Sequence, residues 1–410
     1  MPLQSGSLLG LEHVYWGILI VIYPYLSGLV AGSFIVGSLS KVFGAKQFEP
    51  LAKLAAIVTL AFLLIAALAP LADARQPSRF LELYSRPHVP YAPMGLFTLI
   101  WTTYVLLALA ETYFIFRQGN IYMAEHASGW RRTWHRWLTL GWRNVSPKAL
   151  HREHVVLLFL AGFGIFLAFA FHGYIGFIFG ALKARHLWSN PLMMPLFIVS
   201  AIVSGIALMI IAYVGIVGGL VSRKKVDPKI VSGLTNLLMW TIFVDLFLDI
   251  VDFLNSGVQA YASGPVYDGF HAIFMGGPLT FMYWGLQLGF LTVALIMTFF
   301  PAVRRSRWWA SVASLLVLIS VYAMRYDTVI GGQLQPKVSQ GLVQYSPPWL
   351  GHDSVQTVIG IFAIAVLLIA LQLLLLPWDE SWMEHWVHHS QATRVRPKPQ
   401  HATIAEKEGL

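Results

Sequence analysis

The chain has 410 residues, of which 57% are hydrophobic and only 11% carry a charge. A soluble domain needs about 25% charged residues because its surface faces water, so this composition excludes an ordinary soluble protein and indicates a membrane protein. The net charge of +9 does not indicate nucleic-acid binding, since the basic residues are spread over many connecting segments and form no single patch.

Nine apolar segments of membrane-spanning length follow one another along the chain. Lipid requires internally bonded backbones, and no tracts of alternating ten-residue strands occur, so each segment is predicted to be a helix. The predicted spans are 14–40, 51–71, 94–116, 153–172, 191–217, 230–254, 276–300, 308–326 and 353–377. We therefore expect an all-α polytopic domain over 1–377, with four-helix bundles at about 14–172 and 191–326 and an extra C-terminal helix.

The basic residues predict the orientation of these spans. With the N-terminus outside the membrane, 21 of the 28 Lys and Arg residues fall on inner segments and 7 on outer segments. The basic, Trp-rich segment 117–152 is then predicted to lie along the inner interface. The segment 378–410 is predicted to begin with a second interfacial helix, carrying Trp378, Trp382 and Trp386, and to end as a flexible cytoplasmic tail.

Three carboxylates lie on one face of the sixth predicted span. Asp245, Asp249 and Asp252 are spaced i, i+4 and i+7, and because this span runs outward they lie in its outer half. Ionisable groups inside a bilayer are costly and are therefore functional candidates. The alternative is a solvated helix end, which suits Asp252 better than Asp245.

Other polar side chains are predicted to converge on the same outer face. They are Glu12, His13, Asp73, Arg75, His172, His271, Arg325 and Asp327. Each of these residues, taken alone, is more often an ordinary residue at a helix end. Their predicted location at the same outer face is what favours a functional site. Glu111 is separate, in the inner half of the third span. A lone carboxylate in an apolar setting can carry protons, unless a partner on a neighbouring helix pairs with it.

The chain contains no cysteine, which excludes an iron–sulfur cluster bound by this chain itself. Haem ligation needs two histidines that face each other at similar depth; a pair such as His13 with His172 is conceivable, but no buried pair is evident, so we expect no haem. Any electrons that reach this protein must then come from a partner or from a bound organic molecule.

Several segments resemble the NrfD/polysulfide-reductase membrane-subunit family, which includes PsrC-like proteins. YPYLSGLVAGSF (Tyr23–Phe34) is similar to the entry helix of that family, and His172–Leu208 resembles its longer branch. FVDLFLDIVDF (Phe243–Phe253), FMGGPL (Phe274–Leu279) and MRYDTVIGGQ (Met324–Gln333) fit the same branch. The GGQ after Arg325 is most similar to the P subunit of Dsr complexes and to related quinone-reductase complexes of sulfur-metabolising microbes.

The resemblance implies a haem-free, quinone-reactive subunit of a respiratory complex in a prokaryotic cytoplasmic membrane. It also implies a ferredoxin-type iron–sulfur partner at the outer face, where menaquinone or ubiquinone would react. The expected quinone-binding residues are His172, Asp245, Arg325 and His13, and the expected proton-transfer residues are Asp245, Asp249, Asp252, Glu111 and Glu12. The alternative is a secondary transporter or another ion-translocating protein, which would carry neither bound quinone nor an iron–sulfur partner.

Overall fold

The computed structural model describes residues 13–74, 76–89, 91–220, 225–262, 264–335 and 342–379, and these ranges contain no strand. The main helices are α1 (Ile18–Val42), α2 (Lys46–Asp73), α3 (Pro93–His126), α4 (Gly129–Leu138), α5 (Pro147–Gly180), α6 (Met193–Gly219), α7 (Pro228–Ala262), α8 (Gly264–Phe274), α9 (Met282–Phe299), α10 (Arg307–Leu334) and α11 (Val355–Leu375). Short helical turns occur at Pro77–Leu81, Glu82–Ser85 and Pro301–Arg305. Glu12, Arg75, Trp382 and Trp386 lie outside the described residues.

Eight of these helices are long and apolar enough to cross a membrane, namely α1, α2, α3, α5, α6, α9, α10 and α11. The sixth predicted span, 230–254, lies within α7, a helix of 35 residues that carries the three aspartates. At a rise of 1.5 Å per residue, α7 is about 50 Å long, which exceeds the thickness of the hydrocarbon core. The prediction of an all-α polytopic membrane protein is confirmed.

The helices pack in two groups of four. In the first group, α1 contacts α2 and α5, and α3 contacts the same two helices, which closes a ring. In the second group, α6 contacts α7 and α10, and α9 likewise contacts both. The two groups meet mainly along α1 and α6, while α11 packs against the outside of α2. This arrangement agrees with two four-helix bundles and an extra C-terminal helix.

The contact between α1 and α6 depends on glycine at the crossing point. A Cβ atom added to Gly205 would lie 2.3 Å from the carbonyl carbon of Gly32, and one added to Gly32 would lie 2.2 Å from the carbonyl oxygen of Ala201. Small residues let helix backbones approach closely in a membrane, where packing holds helices together. Gly32 and Gly205 therefore form the centre of the seam between the bundles.

The two ends of the bundle differ in chemistry. We call the end at which α1 begins the N face, and the opposite end the basic face. At the N face the amide of Leu19 donates to Asp353 Oδ1 (2.9 Å), just before α11 begins. At the basic face Arg117 of α3 donates to Glu153 of α5, and both side chains are buried. The indole of Trp134 in α4 donates to the carbonyl of Leu375 at the end of α11 (3.1 Å).

Several helix ends extend beyond the limits that the apolar runs predicted. α3 continues to His126 and α5 begins at Pro147, so α4 is the only separate helix within the predicted interfacial segment 117–152. α5 also continues to Gly180, α7 continues to Ala262 and α10 continues to Leu334. His172, Arg325 and Asp252 therefore lie inside their helices and do not close them. The apolar runs stopped at charged residues, but in the folded chain these charges find partners and the helices go on.

Candidate functional site

His172 of α5 and Arg325 of α10 meet in the interior of the protein, where both side chains are buried. Arg325 Nη2 lies 3.0 Å from His172 Nε2 and 2.6 Å from Ser200 Oγ of α6. The guanidinium also covers the ring of Phe197, with its Cζ 3.9 Å from the ring centroid. This cation–π contact stabilises a cation that has left water. Two of the four residues predicted to bind a quinone, His172 and Arg325, are thus in direct contact.

The hydrogen bonds of His172 determine which ring nitrogen carries the proton. A guanidinium can only donate, so Nε2 accepts from Arg325 and the proton lies on Nδ1. Nδ1 is 3.2 Å from Ser27 Oγ of α1, and that hydroxyl is 3.1 Å from the carbonyl oxygen of Pro24. Ser27 therefore accepts from His172 and donates to Pro24. Side chains from α1, α5, α6 and α10 together hold one neutral imidazole.

The three aspartates of α7 lie on the face that looks towards α6, α9 and α10, and they differ in their partners. Asp249 Oδ1 accepts from the side-chain amide of Gln287 in α9 (3.2 Å), and Asp252 accepts from the amide of Asn190 next to α6. Asp245, one turn deeper, has an Oδ1 with no hydrogen-bond partner in the described ranges. Asp245 and Asp249 are therefore buried in the protein interior, whereas Asp252 is half-buried nearer the end of this acidic stripe.

Further buried polar atoms near this stripe have no hydrogen-bond partner among the described residues. They are both carboxylate oxygens of Asp327, Nε of Arg325 and the hydroxyl of Tyr283. Arg325 interacts electrostatically with Asp245 and Asp249. Among the residues that the structure describes, it does not come close enough to either carboxylate to form an ion pair. Buried polar atoms are normally hydrogen-bonded, so a concentration of unsatisfied ones points to a site for a polar ligand or for protons.

A small cavity lies among these carboxyl groups, and we call it the acidic cavity. Its volume is about 50 Å³, enough for a water molecule but not for an aromatic head group. Its lining residues are Leu187, Met193, Leu196, Asp249, Asp252, Ser256, Ile273, Phe274, Tyr283, Gln287, Met324, Asp327 and Thr328. Since methionine changes conformation readily, the walls formed by Met193 and Met324 are the adaptable part.

Two larger spaces open at the N face. The first, which we call the aromatic cleft, has a volume of about 220 Å³ and is lined by Tyr15, Trp16, Leu182, Ala184, Arg185, Trp188 and Gln333. The second, of about 630 Å³, lies between the end of α2, the start of α3 and the turns of 77–85. Phe97 lines this second space and stacks on Phe171 at 5.5 Å, so one aromatic layer separates it from the neighbourhood of His172.

Aromatic rings connect the aromatic cleft to the histidine. Trp16 and Trp188 stack at 5.3 Å, Phe179 lies 5.3 Å from Trp188, and Phe197 lies 5.8 Å from Phe179. Phe197 in turn stacks on His172 at 5.6 Å. The interior between the N face and the polar network is therefore filled by packed aromatic rings and is apolar.

The segment MRYDTVIGGQ shapes the same region. A Cβ atom on Gly332 would lie 1.9 Å from Trp188 Nε1, so only glycine lets that indole pack here and donate to the carbonyl of Thr328 (2.6 Å). Gln333 accepts from the amides of Tyr15 and Trp16 and thereby fixes the chain before α1. Gly332 and Gln333 lie about two helical turns after Arg325, and they position the residues that line the aromatic cleft.

Not all predicted site residues are brought together. His13 is exposed at the N face with its ring 4.1 Å from Tyr15, at the edge of the aromatic cleft and away from His172. Glu111 lies towards the basic face, where Lys41 Nζ of α1 is 3.5 Å from its Oε1. Glu111 thus has the partner on a neighbouring helix that the alternative interpretation required. Glu12 lies outside the described residues.

Sequence reasoning missed the neutral members of the site. Ser27, Ser200, Asn190, Tyr283 and Gln287 supply partners or walls around the charged residues. The sequence shows Gln287 as a polar residue inside the seventh apolar run. The hydrogen bonds of Ser27 and Ser200 to His172 and Arg325 could be found only from the tertiary fold. Within the described ranges, no three His, Cys, Asp or Glu residues form a group that could hold a metal ion.

Comparison with known proteins shows that the chain is similar to membrane subunits of oxidoreductases. The family described as polysulphide reductase, NrfD, matches residues 9–337. A selenate reductase subunit of Mesobacillus selenatarsenatis is 32% identical over 397 residues, which cover 92% of this chain and 89% of that protein. The Hdr-like menaquinol oxidoreductase integral membrane subunit of Archaeoglobus fulgidus is 24% identical over 80% of this chain and 73% of that protein. A putative dimethyl sulfoxide reductase membrane subunit of Halobacterium salinarum is 26% identical over 51% of this chain and 46% of that protein.

Proposed function

The chain belongs to the polysulphide reductase NrfD family of oxidoreductase membrane subunits, and on that basis we propose that it exchanges electrons between the membrane quinone pool and an iron–sulfur partner subunit. The observation that carries this proposal is the buried contact between His172 and Arg325, flanked by Asp245 and Asp249. A quinone site needs hydrogen-bond donors for the carbonyl oxygens, titratable groups nearby and apolar walls for the ring. All three kinds of group lie together here, and because the acidic cavity beside them holds only about 50 Å³, binding of the ring requires its Met193 and Met324 walls to move.

A quinone supplies the chemistry of accepting two electrons and two protons, and the residues of this chain supply orientation and protons. Arg325 keeps its charge and is suited to donate to a carbonyl oxygen. His172 Nε2 accepts from Arg325 in this structure, so it could donate to a carbonyl oxygen only after Arg325 Nη2 turns away and the proton moves from Nδ1 to Nε2. Ser27 can follow this change of tautomer, because a hydroxyl both accepts and donates. Asp245, which has a carboxyl oxygen without a partner in the described ranges, is placed to pass a proton on.

The acidic cavity supports a proton path to the N face. Asp249, Asp252 and Asp327 line a space that can hold a water molecule, and Asp245 lies one turn further in. Like charges so close together do not all ionise at once, so the group can store and release a proton as one unit. We propose that protons exchanged at the quinone travel through Asp245, Asp249 and Asp252.

We place the partner and the substrate at the N face, with this face outside the prokaryotic cytoplasmic membrane. The relative from Archaeoglobus fulgidus is named as a menaquinol oxidoreductase subunit, which makes menaquinone the first quinone to test. An iron–sulfur partner docked over the aromatic cleft would lie at the outer end of the rings that lead to His172. A link to sulfur-compound metabolism is a narrower form of the same proposal.

The experiment measures quinol-dependent turnover of the purified complex, together with extraction of bound quinone. His172→Ala and Asp245→Asn should each lower turnover at least tenfold, equivalent to about 1.4 kcal/mol of barrier. The partner subunit should still co-purify, because neither change removes a large apolar contact. His186→Ala and Asp268→Asn are the matched controls, since both residues are exposed and lie near the same face.

Wild-type turnover in both assembled variants would place the quinone elsewhere. The space of about 630 Å³ beside α2 and α3 is the competing position, and Ala74→Trp would fill it without removing a polar group. Loss of turnover in Ala74→Trp alone would favour that position over His172. A complex that contains neither quinone nor an iron–sulfur subunit would favour the transporter interpretation.

A further inference from the structure

A separate groove of about 560 Å³ lies on the basic face, far along α7 from the aspartates. The start of α7, the start of α2 and the turn Pro301–Arg305 form its walls. Three of its eight lining residues are cations, namely Lys229, Arg304 and Arg305, and none is acidic. We call this the basic groove.

The cations of the basic groove have no acidic partner in the described ranges. The carboxylate nearest to Lys229 along the chain belongs to Asp227, and its Oδ1 accepts from the backbone amide of Lys229 (2.8 Å) at the start of α7. Arg304 Nη1 lies 3.4 Å from Met239 Sδ, a contact that fixes the guanidinium against α7 without neutralising it. Like charges grouped in this way repel one another unless an anion joins them.

The remaining walls of the basic groove can bind an oxyanion. Gln47, Ser232 and Asn236 bring side-chain amide and hydroxyl donors, and the amide of Gln47 lies beside Gly233. Cations with neutral donors and without carboxylates are the set of groups that recognises phosphate. The groove is therefore complementary to a phosphate group in both charge and hydrogen bonding.

Apolar side chains flank the basic groove where the spans end. Trp240 is exposed one turn after Asn236 on α7, and Phe300 and Trp308 are exposed on either side of the turn that carries Arg304 and Arg305. Aromatic side chains at the ends of spanning helices lie at the level of lipid head groups. A ligand that places a phosphate in the groove and acyl chains beside these rings would satisfy both surfaces.

We propose that the basic groove binds the phosphate of an anionic phospholipid at the basic face. Basic pockets between helix ends on the inner side of a membrane attract such head groups. A free phosphate ion would use the same cations but not the flanking rings, so the two sources can be separated by experiment. This proposal is independent of the quinone site, which lies at the other end of α7.

The test uses the full-length protein in its complex, exchanged into detergent and examined by native mass spectrometry with added phosphatidylglycerol. We expect Lys229→Gln/Arg305→Gln to weaken phosphatidylglycerol binding at least tenfold, whereas phosphatidylcholine binding should not change. The matched control is Arg131→Gln/Arg132→Gln, which removes the same charge from exposed residues of α4 at the same face. Both changed residues of the first variant are exposed, so the fold should tolerate them.

One outcome supports the proposal, and the others overturn it. Weakening by the groove variant alone, with no displacement of the lipid by inorganic phosphate at equal concentration, supports a phospholipid site. Equal weakening by both variants, or by neither, overturns it, because a general surface charge would then explain the binding. If inorganic phosphate at equal concentration displaces the bound lipid, the site binds a free anion and the proposal is overturned. If the groove variant loses a partner subunit while lipid binding is unchanged, the groove is a protein interface and the proposal is likewise overturned.

Discussion

Ser27 connects His172 to α1, and its hydroxyl decides which tautomers the imidazole can adopt. Ser27→Ala removes the acceptor for Nδ1 and leaves a buried donor unpaired, at a cost of about 1–3 kcal/mol. We expect quinol-dependent turnover to fall about tenfold, corresponding to about 1.4 kcal/mol of barrier. Ser33→Ala is the control, because Ser33 is also buried on α1 but bonds to Thr59 of α2.

Ser27→Thr would keep the hydroxyl and should recover most of the turnover. If Ser27→Ala instead reduces the amount of folded protein while the surviving molecules turn over normally, the hydroxyl only supports packing. Turnover per mole of assembled complex separates these two results.

Glu111 belongs to a different part of the molecule, since Lys41 pairs with it towards the basic face. Glu111→Gln should leave the apparent affinity for quinol unchanged but slow proton uptake from the basic face about tenfold, if a proton path crosses the first bundle. Proteoliposomes containing a trapped pH indicator measure this uptake. Glu125→Gln is the matched control, because Glu125 lies further along the same helix and is exposed.

Normal proton uptake in Glu111→Gln would leave Glu111 as a structural ion pair. A double variant with Lys41→Gln helps to distinguish the cases. Glu111→Gln alone leaves Lys41 half-buried without its partner and should lower the free energy of unfolding. If Glu111 serves only as an ion-pair partner, the double variant removes both charges and should recover that loss.

The seam between α1 and α6 makes a prediction at the scale of helices. In Gly205→Ala the new methyl group would lie 2.3 Å from the backbone of Gly32, so the helices must separate, at a cost of about 1–3 kcal/mol. In Gly162→Ala on α5 nothing lies within 4 Å of the new Cβ, and the better helix propensity of alanine should stabilise by up to about 1 kcal/mol. Thermal unfolding in detergent measures both changes, and equal Tm values would contradict the close contact.

The apolar runs predicted the helices and their order well, but they made several helices too short. Several predicted spans stopped at or next to an ionisable residue, as at Arg117, His172 and Arg325. In the structure the partners come from distant parts of the chain, such as Glu153 for Arg117. No local pattern could show those partners, and for this reason the buried depth of His172 was underestimated. That these polar residues lie at the same face of the membrane was predictable, because the direction of each span determines which face its ends reach.

The interfacial helix α4 illustrates the same limit. Its tryptophans and arginines predicted an amphipathic segment, and Trp130 and Trp137 are indeed exposed. His135 on its inner face is buried and bonds to Asn120 of α3 (2.9 Å). Burial, together with the nearby charge of Arg131, lowers the pKa of His135. α4 is therefore tied to α3 by a neutral histidine, a contact that the charge pattern did not indicate.

At the scale of the whole molecule, the two faces carry opposite kinds of chemistry. The N face gathers the aromatic cleft, the acidic cavity and the network of His172, whereas the basic face gathers α4, the basic groove and the buried pair of Arg117 with Glu153. The helix α7 spans both, with aspartates near one end and Lys229 at the other. A quinone site on one face and lipid anchoring on the other would fix the depth of the protein in the membrane.

The orientation of these faces can be tested directly because the chain has no native thiol. The bias of 21 of 28 basic residues predicts that the basic face is cytoplasmic. Lys183→Cys at the N face and Arg136→Cys on α4 each place one thiol at an exposed position. In spheroplasts an impermeant maleimide should label Lys183→Cys at once, and Arg136→Cys only after the membrane is broken. The reverse pattern would put the N face inside the cell, and the iron–sulfur partner and the proton exchange at Asp245 would then both have to be cytoplasmic.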